Sequence, residues 1–458
     1  MALRFCSNSL DRSFIDIDRK SEEALVNLAV RESTRWLIVY DSGKILCEKK
    51  GDTVKIAPLT STRLLRALGE KSKSIKDIII DDAYNVAVLG FKEENNIKIC
   101  YICISVAPSA GMEEDAIIKR ADESLENDDD NDEKFILQFQ GQRGLVLALS
   151  KEDSSIAGQA ISMMHFHKTN TFSGLNAERT KSIELGTKRC FGKDKKIYPR
   201  LDPVAIALVV SPDGSRCLLG RMKGSPKGFF SCLSGFIEQC ESVQNAVRRE
   251  VFEEAGVHVG EVILYDSQPW PLGRGGGCEL MIGCIAVALT EDINITETDA
   301  VEQICWFNRQ EIAAMLEKSK SPITKNVQEN SLFIPGDYAI AHHLIKAFID
   351  DDFDKSRNLF NSTVSVSSSV GTSSVGTSVD TSVDMSVGTS VGTSTTPYNS
   401  NKTKLSLEEI VSTGKSQAVL DQKSVNTSKI RSLLRLVGTI TITTSVAAAG
   451  LYLKKRKW

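Results

Sequence analysis

The sequence lacks three features that would narrow its class at once: an excess of charge, an apolar leader and paired cysteine motifs. Its 458 residues carry a formal net charge of −3, so nothing global favours nucleic acid as the main partner, although a local RNA-binding site stays open. No long apolar run begins the chain, so we expect no secretory signal. The 11 cysteines are scattered, which predicts free thiols in a reducing compartment.

The one CxxC motif, Cys100 to Cys103, has no second pair at zinc-finger spacing. It lies in the apolar run Ile97–Val106, whose composition is typical of a strand. We therefore expect a buried strand here rather than a metal or redox site.

Residues 1–165 are predicted to form an N-terminal α/β domain. Strand patterns occupy 36–40 and 97–106, and 21–29 has the pattern of a short helix. An acidic run at 113–134 interrupts this domain, and we interpret it as a solvated loop.

Residues 199–350 are predicted to form a second α/β domain. The apolar run 204–210 ends in turn residues and returns at 217–220, which indicates a hairpin. A helix around 242–255 and further strands at 262–265 and 280–289 follow.

The last hundred residues have another character. Residues 361–397 repeat Ser-Val-Gly-Thr units, so we expect 351–430 to be a disordered tether. The uncharged stretch 436–453 would be about 27 Å long as a helix, has basic flanks and predicts a transmembrane tail anchor. The enzyme would then face the cytosol, with the mitochondrial outer membrane or the peroxisome favoured and the endoplasmic reticulum left open.

Residues 235–257 contain the segment with chemical meaning. Ser242 can cap the predicted helix and Gly256 can end it in a left-handed conformation. Glu250, Glu253 and Glu254 then share one side at spacings of three and four residues. Such a cluster is repulsive in isolation, and it indicates a site for Mg²⁺ or Mn²⁺, which prefer oxygen ligands.

The full spacing resembles the signature of the Nudix hydrolases, at positions Gly235, Glu241, Arg249, Glu250, Glu253, Glu254 and Gly256. The run Ser267-Gln268-Pro269-Trp270-Pro271 and the stretch 198–203 are similar to the NADH pyrophosphatase subfamily, as are 8–12, 35–37, 233–238 and 339–345. The resemblance covers residues 6 to about 350. It implies an α/β/α sandwich around a mixed sheet, and a possible homodimer.

The resemblance also implies roles for individual residues. Glu250, Glu254 and Glu302 would bind the metals with the Ser234 carbonyl, and Glu253 would support the attacking water or act as the base. The substrate would be bound by Tyr198, Phe236, Gln268, Pro269, Trp270, Pro271 and Ala341. The aromatic members would stack on a nucleobase or nicotinamide, and for Trp270 the flanking prolines argue against a place in the core.

Two segments depart from the subfamily pattern. The four zinc ligands of its interdomain site align here with Ser173, Asn176, Cys190 and Lys193, so we expect no zinc in the linker 166–198. The domains would then be joined by packing alone, with His165 and His167 as ordinary helix residues. The glycine-rich stretch 272–279 replaces the end of the second motif; we interpret it as a flexible excursion that puts dinucleotide selectivity in question.

Three functions are compatible with these patterns, in order of preference. The first is hydrolysis of NADH or NAD at the pyrophosphate, giving nicotinamide mononucleotide and AMP. Within the same class, ADP-ribose or an NAD-capped RNA is an alternative substrate. From another class, the chain could be a membrane-tethered nucleotide sensor without catalysis, against which the retained carboxylate cluster argues.

Overall fold

The computed structural model describes residues 3–350, except 7–8, 22, 42, 71, 82, 110, 123–134, 296–299 and 320–330. The tether predicted at 351–430 and the anchor predicted at 436–453 lie outside these residues. Within the described part of the chain, no helix has both the length and the apolarity needed to cross a bilayer.

The N-terminal region is a three-layer α/β domain. Its strands are β1 Thr34–Tyr40, β2 Lys44–Lys50, β3 Thr53–Ile56, β4 Val86–Glu94, β5 Ile97–Val106 and β6 Ile136–Gln140. Its helices are α1 Glu23–Ala29, α2 Ser61–Ala67, α3 Ile75–Ile80, α4 Glu114–Asp122, α5 Gln142–Leu147 and α6 Lys151–Thr169. The sheet order is β3-β2-β1-β5-β4, with β6 paired to β2 and β1 parallel to β5.

Both faces of this sheet are covered, which explains why its central strands are continuously apolar. Trp36 and Ile38 of β1 pack with α1–α4 on one face, whereas Leu37 and Val39 pack with α5 and α6 on the other. The predictions of strands at 36–40 and 97–106 are confirmed.

The interpretation of 113–134 as a loop is wrong for its first part. Glu114–Asp122 forms α4, whose Ile117 and Ala121 are fully buried. The charged residues conceal a one-sided apolar pattern, and two buried side chains are enough to dock this helix on the domain.

Helix α6 continues past the boundary expected at residue 165 and ends at Thr169. A small antiparallel sheet follows, made of β7 Lys181–Ile183, β8 Lys188–Phe191 and β9 Lys195–Ile197. We call residues 171–197 the meander.

The second domain contains strands β10 Leu201–Val210, β11 Arg216–Met222, β12 Leu233–Phe236, β13 Val259–Trp270, β14 Cys278–Ala288 and β15 Val301–Asn308. Its helices are α7 Val243–Ala255, α8 Arg309–Ser319 and α9 Ile340–Ile349. The sheet order is β13-β14-β10-β11-β15 with β12 paired to β10, and only β10 and β14 among these pairs run parallel.

Alternate residues of β10 face opposite layers. Ile206 and Leu208 pack under α8 and α9, while Ala207 and Val209 pack under α7. The predicted α/β/α sandwich with a mixed sheet is therefore confirmed, as is the hairpin of β10 and β11.

The first residues of the chain join the two domains. Leu3 belongs to the core beneath α8 and α9, whereas Phe5 belongs to the core beneath α6. Between them, the Arg4 carbonyl accepts a hydrogen bond from Gln268 at 3.0 Å. The N-terminal segment is thus built into the second domain as well as the first.

Candidate functional site

Helix α7 begins and ends where its sequence indicates. The Ser242 side chain accepts a hydrogen bond from the Asn245 amide at 3.2 Å, and Gly256 follows the helix with φ +71°. Because the Cα of Gly256 also lies against Asn294, a Cβ there would come within 2.8 Å of that residue. Glycine is required by the conformation and by the space.

Gly235 makes room for a carboxylate. Strand β12 passes so close to α7 that a Cβ on Gly235 would lie 1.9 Å from the carboxyl carbon of Glu250. Glu250 therefore rests against the backbone of β12, beside Ser234. A side chain at position 235 would displace it, which gives the fixed glycine of the motif a physical reason.

Arg249 connects the strand, the loop and the helix. Its guanidinium donates to both oxygens of Glu241 at 2.9 and 2.8 Å, to Glu250 at 2.7 Å and to Glu253 at 3.2 Å. It also donates to the Phe236 carbonyl at 2.8 Å. These bonds raise the pKa of Arg249 and lower the pKa of Glu241. Glu241 and Arg249 thus connect the loop to the helix, and one cation holds three carboxylates in place.

The remaining acidic residues have different surroundings. Glu254 is almost fully buried beneath α7, whereas the side chain of Glu302 is 44% exposed and pairs with Arg221 at 2.7 Å. The Arg221–Glu302 pair joins β11 to β15. Sequence reasoning missed Arg221, because its partner is 81 residues away and no local pattern marks it.

The donor atoms suit a divalent ion, although the carboxylates are not gathered around one point. Within the described residues, no group of three His, Cys, Asp or Glu side chains could hold a metal ion. Instead Arg249 and Arg221 each pair with one of the predicted ligands. The predicted ligands of the site nevertheless present oxygen atoms, which Mg²⁺ and Mn²⁺ prefer as ligands. Gly235 leaves the space in which the Glu250 carboxylate lies against β12. The residues present therefore fit such an ion.

Phe236 lies at the edge of this site and is 39% exposed. The guanidinium of Arg274 stands over its ring, 5.6 Å from the centroid. Arg274 belongs to the glycine-rich stretch 272–279, in which Arg274–Gly276 forms a 3₁₀ turn. Sequence reasoning missed Arg274 because the stretch has no repeat or period.

Gln268 does not line an open site. It is 1% exposed, and its amide nitrogen donates to the Arg4 carbonyl at 3.0 Å and to the Tyr338 carbonyl at 2.8 Å. Its oxygen accepts from the Ile340 amide at 2.8 Å, at the first turn of α9. In this structure Gln268 joins the N-terminal segment, β13 and α9, and its substrate-binding role stays a prediction.

Two further predicted substrate residues are also occupied by packing. Ala341 is buried in the core beneath α9. Trp270 is half-buried and meets Phe5 edge to face at 5.7 Å, so it packs on the N-terminal domain. The flanking prolines do not keep Trp270 out of a core, because its ring lies against the other domain.

The other predicted substrate residues border a cavity of about 890 Å³ between α6 and the second domain. Tyr198, Pro269 and Pro271 all line it. Tyr198 is 60% exposed. The Lys188 ammonium lies over its ring, 5.3 Å from the centroid. Phe236 does not line this cavity, but Arg274, whose guanidinium stands over its ring, does.

The meander is held by a buried polar network rather than by packing alone. Arg189 donates to Thr180 at 2.5 Å, to the Nδ1 of His167 at 2.8 Å and to Asn85 at 3.2 Å. The Nε2 of His167 lies 2.8 Å from the Gly186 carbonyl, and burial lowers the pKa of His167 to about 4. The imidazole is therefore neutral, donates through Nε2 and accepts at Nδ1.

Two of the four residues aligned with the zinc ligands take part in ordinary turn contacts. The Ser173 hydroxyl accepts from the Leu175 amide at 3.1 Å, and the Asn176 side chain contacts Glu178 at 3.2 Å. Cys190 is half-buried as a free thiol on β8. These contacts belong to a polar turn.

Comparison with known proteins assigns residues 201–327 to the family described as the NUDIX domain. The chain is 40% identical over 213 residues to an NAD-capped RNA hydrolase, NUDT12, of Macaca fascicularis, covering 44% of this chain and 43% of that one. It is 38% identical over 216 residues to the human mitochondrial NAD(P)H pyrophosphatase NUDT13, covering 45% and 58%.

A bacterial relative, the NAD-capped RNA hydrolase NudC of Mycobacterium bovis (strain BCG / Pasteur 1173P2), is 31% identical over 210 residues, covering 45% and 64%. The chain thus matches between about two fifths and two thirds of the length of these curated relatives. A solved MutT NUDIX hydrolase from Burkholderia pseudomallei covers 24% of this chain and 85% of its own, at 26% identity and a TM-score of 0.22. The resemblance to a Nudix protein of the NADH pyrophosphatase type is confirmed.

Proposed function

We propose that this chain, whose residues 201–327 belong to the NUDIX domain family, is a divalent metal-dependent hydrolase that cleaves NADH or NAD at the pyrophosphate. The observation that carries the proposal is the arrangement at α7. There Arg249 holds three glutamates, and Gly235 lets Glu250 lie against β12. The products would be nicotinamide mononucleotide and AMP.

Each acidic residue has a separate part in this proposal. Glu250, Glu254 and Glu302, with the Ser234 carbonyl, would hold Mg²⁺ or Mn²⁺. A bound ion of this kind polarises a phosphoryl oxygen and lowers the pKa of a bound water. Glu253 is 43% exposed on its side chain, so it can reach a water at the mouth of the site and accept its proton.

Arginines prepare the site for an anionic substrate. Arg249 offsets the repulsion among Glu241, Glu250 and Glu253 before any ion binds, so the folded chain tolerates the cluster. Arg221 does the same for Glu302. Exchange of these arginines for a metal ion would then couple ion binding to a local rearrangement of the carboxylates.

NAD-capped RNA is the second candidate substrate. Relatives from Macaca fascicularis and Mycobacterium bovis carry that name, and the human NUDT13 is named for NAD(P)H. The same pyrophosphate would be cleaved in each case. The two substrates differ only in whether an RNA chain is attached to the adenosine, so one panel of substrates separates them.

The test is hydrolysis by the full chain with Mg²⁺ or Mn²⁺, using NADH, NAD, ADP-ribose and NAD-capped RNA. We expect NADH and NAD to yield mononucleotides. We expect Glu254→Gln to lower kcat by about 10³-fold, since loss of a metal contact costs several kcal/mol of barrier.

The matched control is Glu317→Gln, which removes one exposed negative charge on α8 and should leave kcat unchanged. If no substrate is cleaved with either ion, the proposal of a hydrolase fails. Binding of NADH without turnover would then favour the catalytically inactive nucleotide sensor.

We also propose, from the sequence alone, that residues 436–453 anchor the enzyme to a membrane, with the mitochondrial outer membrane or the peroxisome preferred. The test is the distribution of the full chain after alkaline extraction of cell membranes, beside a chain ending at residue 430. Release of both chains into the soluble fraction would contradict the anchor.

A further inference from the structure

The pairing of its strands gives the meander an inward and an outward face. Lys181, Cys190 and Lys196 lie directly opposite one another on β7, β8 and β9, so their side chains share one face of this antiparallel sheet. Successive residues of a strand point to opposite faces. Arg189 precedes Cys190 and is buried, so its face is the inward one, and the row of Lys181, Cys190 and Lys196 faces outward.

Four cations share the outward face. Besides Lys181 and Lys196, they are Lys188, two residues before Cys190, and Arg179, two residues before Lys181, since a spacing of two keeps side chains on one side of an extended strand. The meander has seven basic and three acidic residues, whereas the whole chain has a net charge of −3. Positive charge is therefore concentrated on this small sheet.

Two exposed aromatic rings border these cations. Phe172 lies opposite Arg179 in an antiparallel bridge and is 57% exposed. Tyr198 is the second residue after Lys196, and the Lys188 ammonium over its ring places it on the outward face independently of the strand pairing. Cations beside exposed rings suit a single-stranded nucleic acid, because its phosphates pair with the cations and its bases stack on the rings.

Glu184 holds two of the lysines in position. Its carboxylate accepts hydrogen bonds from Lys188 and Lys196, each at 2.5 Å, and these bonds lower the pKa of Glu184 to about 2. The two lysines share one carboxylate, so positive charge remains for a phosphate. Glu178 does not neutralise it, because its carboxylate accepts from the Gly192 amide at 2.9 Å.

The outward face continues to the candidate site. Tyr198, which ends the row of Lys188, also lines the cavity between α6 and the second domain. Pro199 and Arg200 line the same cavity, and β10 begins at the next residue. A polymer attached to a substrate in the second domain would therefore meet the meander where it leaves the site.

We propose that the outward face of the meander binds the single-stranded RNA that follows the cap of an NAD-capped substrate. The inference rests on the proposed function and deepens its second candidate substrate. Phosphates would pair with Arg179, Lys181 and Lys196, and a base would stack on Phe172. These contacts involve the RNA backbone and the flat faces of bases, so we expect binding to be independent of base sequence.

The first experiment measures binding without a cap and without turnover. A short uncapped single-stranded RNA of mixed sequence, labelled at its 3′ end, is titrated with the full chain in EDTA and followed by fluorescence anisotropy. We expect log Kd to rise with the logarithm of salt concentration with a slope of about 2 to 3, because each neutralised phosphate contributes about 0.7. A slope near zero would contradict the proposal.

Lys181→Gln tests the cations, because Lys181 is exposed and its loss leaves the buried network of Arg189 intact. We expect it to weaken RNA binding about threefold and to lower the salt slope by about 0.7. Lys49→Gln is the matched control, an exposed lysine on β2 of the N-terminal domain, and it should change neither value. Equal effects of the two substitutions would mean that the meander is an ordinary solvated surface.

Phe172 allows stacking to be separated from apolar contact. We expect Phe172→Leu, which keeps apolar surface but removes the ring, to weaken RNA binding about tenfold. Phe172→Tyr keeps the ring and should bind RNA as the wild-type chain does. Equal affinities of the leucine and tyrosine variants would overturn the stacking contact.

The outcomes distinguish this inference from the proposed function. Lys181→Gln should raise KM for NAD-capped RNA about threefold and leave KM for NADH unchanged, because NADH has no RNA chain. If NADH is cleaved but the wild-type chain does not bind RNA, this inference fails alone. If RNA binds through this face but neither NADH nor capped RNA is cleaved, the hydrolase fails and the RNA surface stands. If polyglutamate or phosphatidylserine vesicles bind as tightly as RNA, the face does not select RNA and the inference is overturned.

Discussion

Two arginines hold two parts of this molecule together in opposite ways. Arg249 is one quarter exposed and is surrounded by carboxylates that lie within eight residues of it. Arg189 is buried, and it bonds with Thr180, His167 and Asn85, the last 104 residues away. One arginine neutralises charge at a surface where a substrate can approach, and the other satisfies polar atoms in an interior.

The difference shows what positions the partners of each arginine. At α7 a helical repeat of three and four residues puts the carboxylates on one side, so local geometry is sufficient. In the meander, residues from α6, from β8 and from the loop before β4 meet only after the domains have folded. We therefore expect the α7 cluster to tolerate exchange of its arginine contacts, and the meander to lose its packing when Arg189 is removed.

The largest expected effect on stability comes from removing the buried arginine. Arg189→Met should lower the free energy of unfolding by about 3–5 kcal/mol, the usual cost of separating a buried polar group from its partners. Urea unfolding measures this, and kcat of the folded fraction should change little. The contrast with Arg249 would break down if Arg249→Met destabilised the chain as much as Arg189→Met.

Gly235→Ala tests the close approach of β12 and α7. The new methyl group would occupy the place of the Glu250 carboxylate, so kcat should fall about 100-fold, as expected for a displacement of about 1 Å at a catalytic group. Metal-dependent hydrolysis of NADH is the measurement. Gly277→Ala is a suitable control, since a Cβ there meets nothing closer than 3.8 Å, and it should retain activity.

The pH dependence of stability should come in part from His167. Its pKa is lowered to about 4 in the folded chain, while an unfolded histidine titrates near 6.5. The unfolded chain therefore binds more protons between these values, and stability falls as the pH falls. Between about pH 6 and pH 4.5 the loss should approach about 2 kcal/mol.

A comparison of thermal melts across this range for the wild-type chain and His167→Gln isolates the contribution of His167. The glutamine can still donate to the Gly186 carbonyl, so the variant should remain folded at neutral pH. Equal slopes of melting temperature against pH in the two proteins would show that the neutral imidazole is not responsible.

The smallest effect is expected at the start of α7. Ser242→Ala removes the side-chain bond to the Asn245 amide and should cost about 1 kcal/mol of unfolding free energy. Ser242→Asp keeps an acceptor in the same place and should retain most of the stability. Melting temperatures of the three chains test this, and identical values for alanine and serine would mean that the cap is not needed.

Much of the second domain could be predicted from the sequence because its signals are local. The ends of α7 and the hairpin of β10 and β11 both follow from spacing within a few residues. The CxxC of β5 is also confirmed as a pair of buried thiols, and burial raises the pKa of Cys100 to about 12.

Helix α4 was missed because charged residues conceal its local apolar pattern, whereas the contacts of the predicted substrate residues could not be foreseen because their partners are far apart in the chain. The motif around Gln268 predicts a substrate contact, but the hydrogen bonds of its side chain join residues 4, 338 and 340. Trp270 and Arg274 act on elements that the local sequence does not reveal, namely Phe5 and Phe236. A motif can specify which residue stands at a position without specifying whether its partner is a ligand or the backbone.

The position of Gln268 has a consequence for biosynthesis. Its amide needs both the Arg4 carbonyl and the Tyr338 carbonyl, and a ribosome adding about 5–20 residues per second takes roughly 20 to 70 s between those two positions. During that interval Leu3 must wait for the partners that complete its core, whereas Phe5 can already pack beneath α6. The segment that is synthesised first thus completes its packing last. A chaperone would bind the nascent chain at the apolar side chains of this segment.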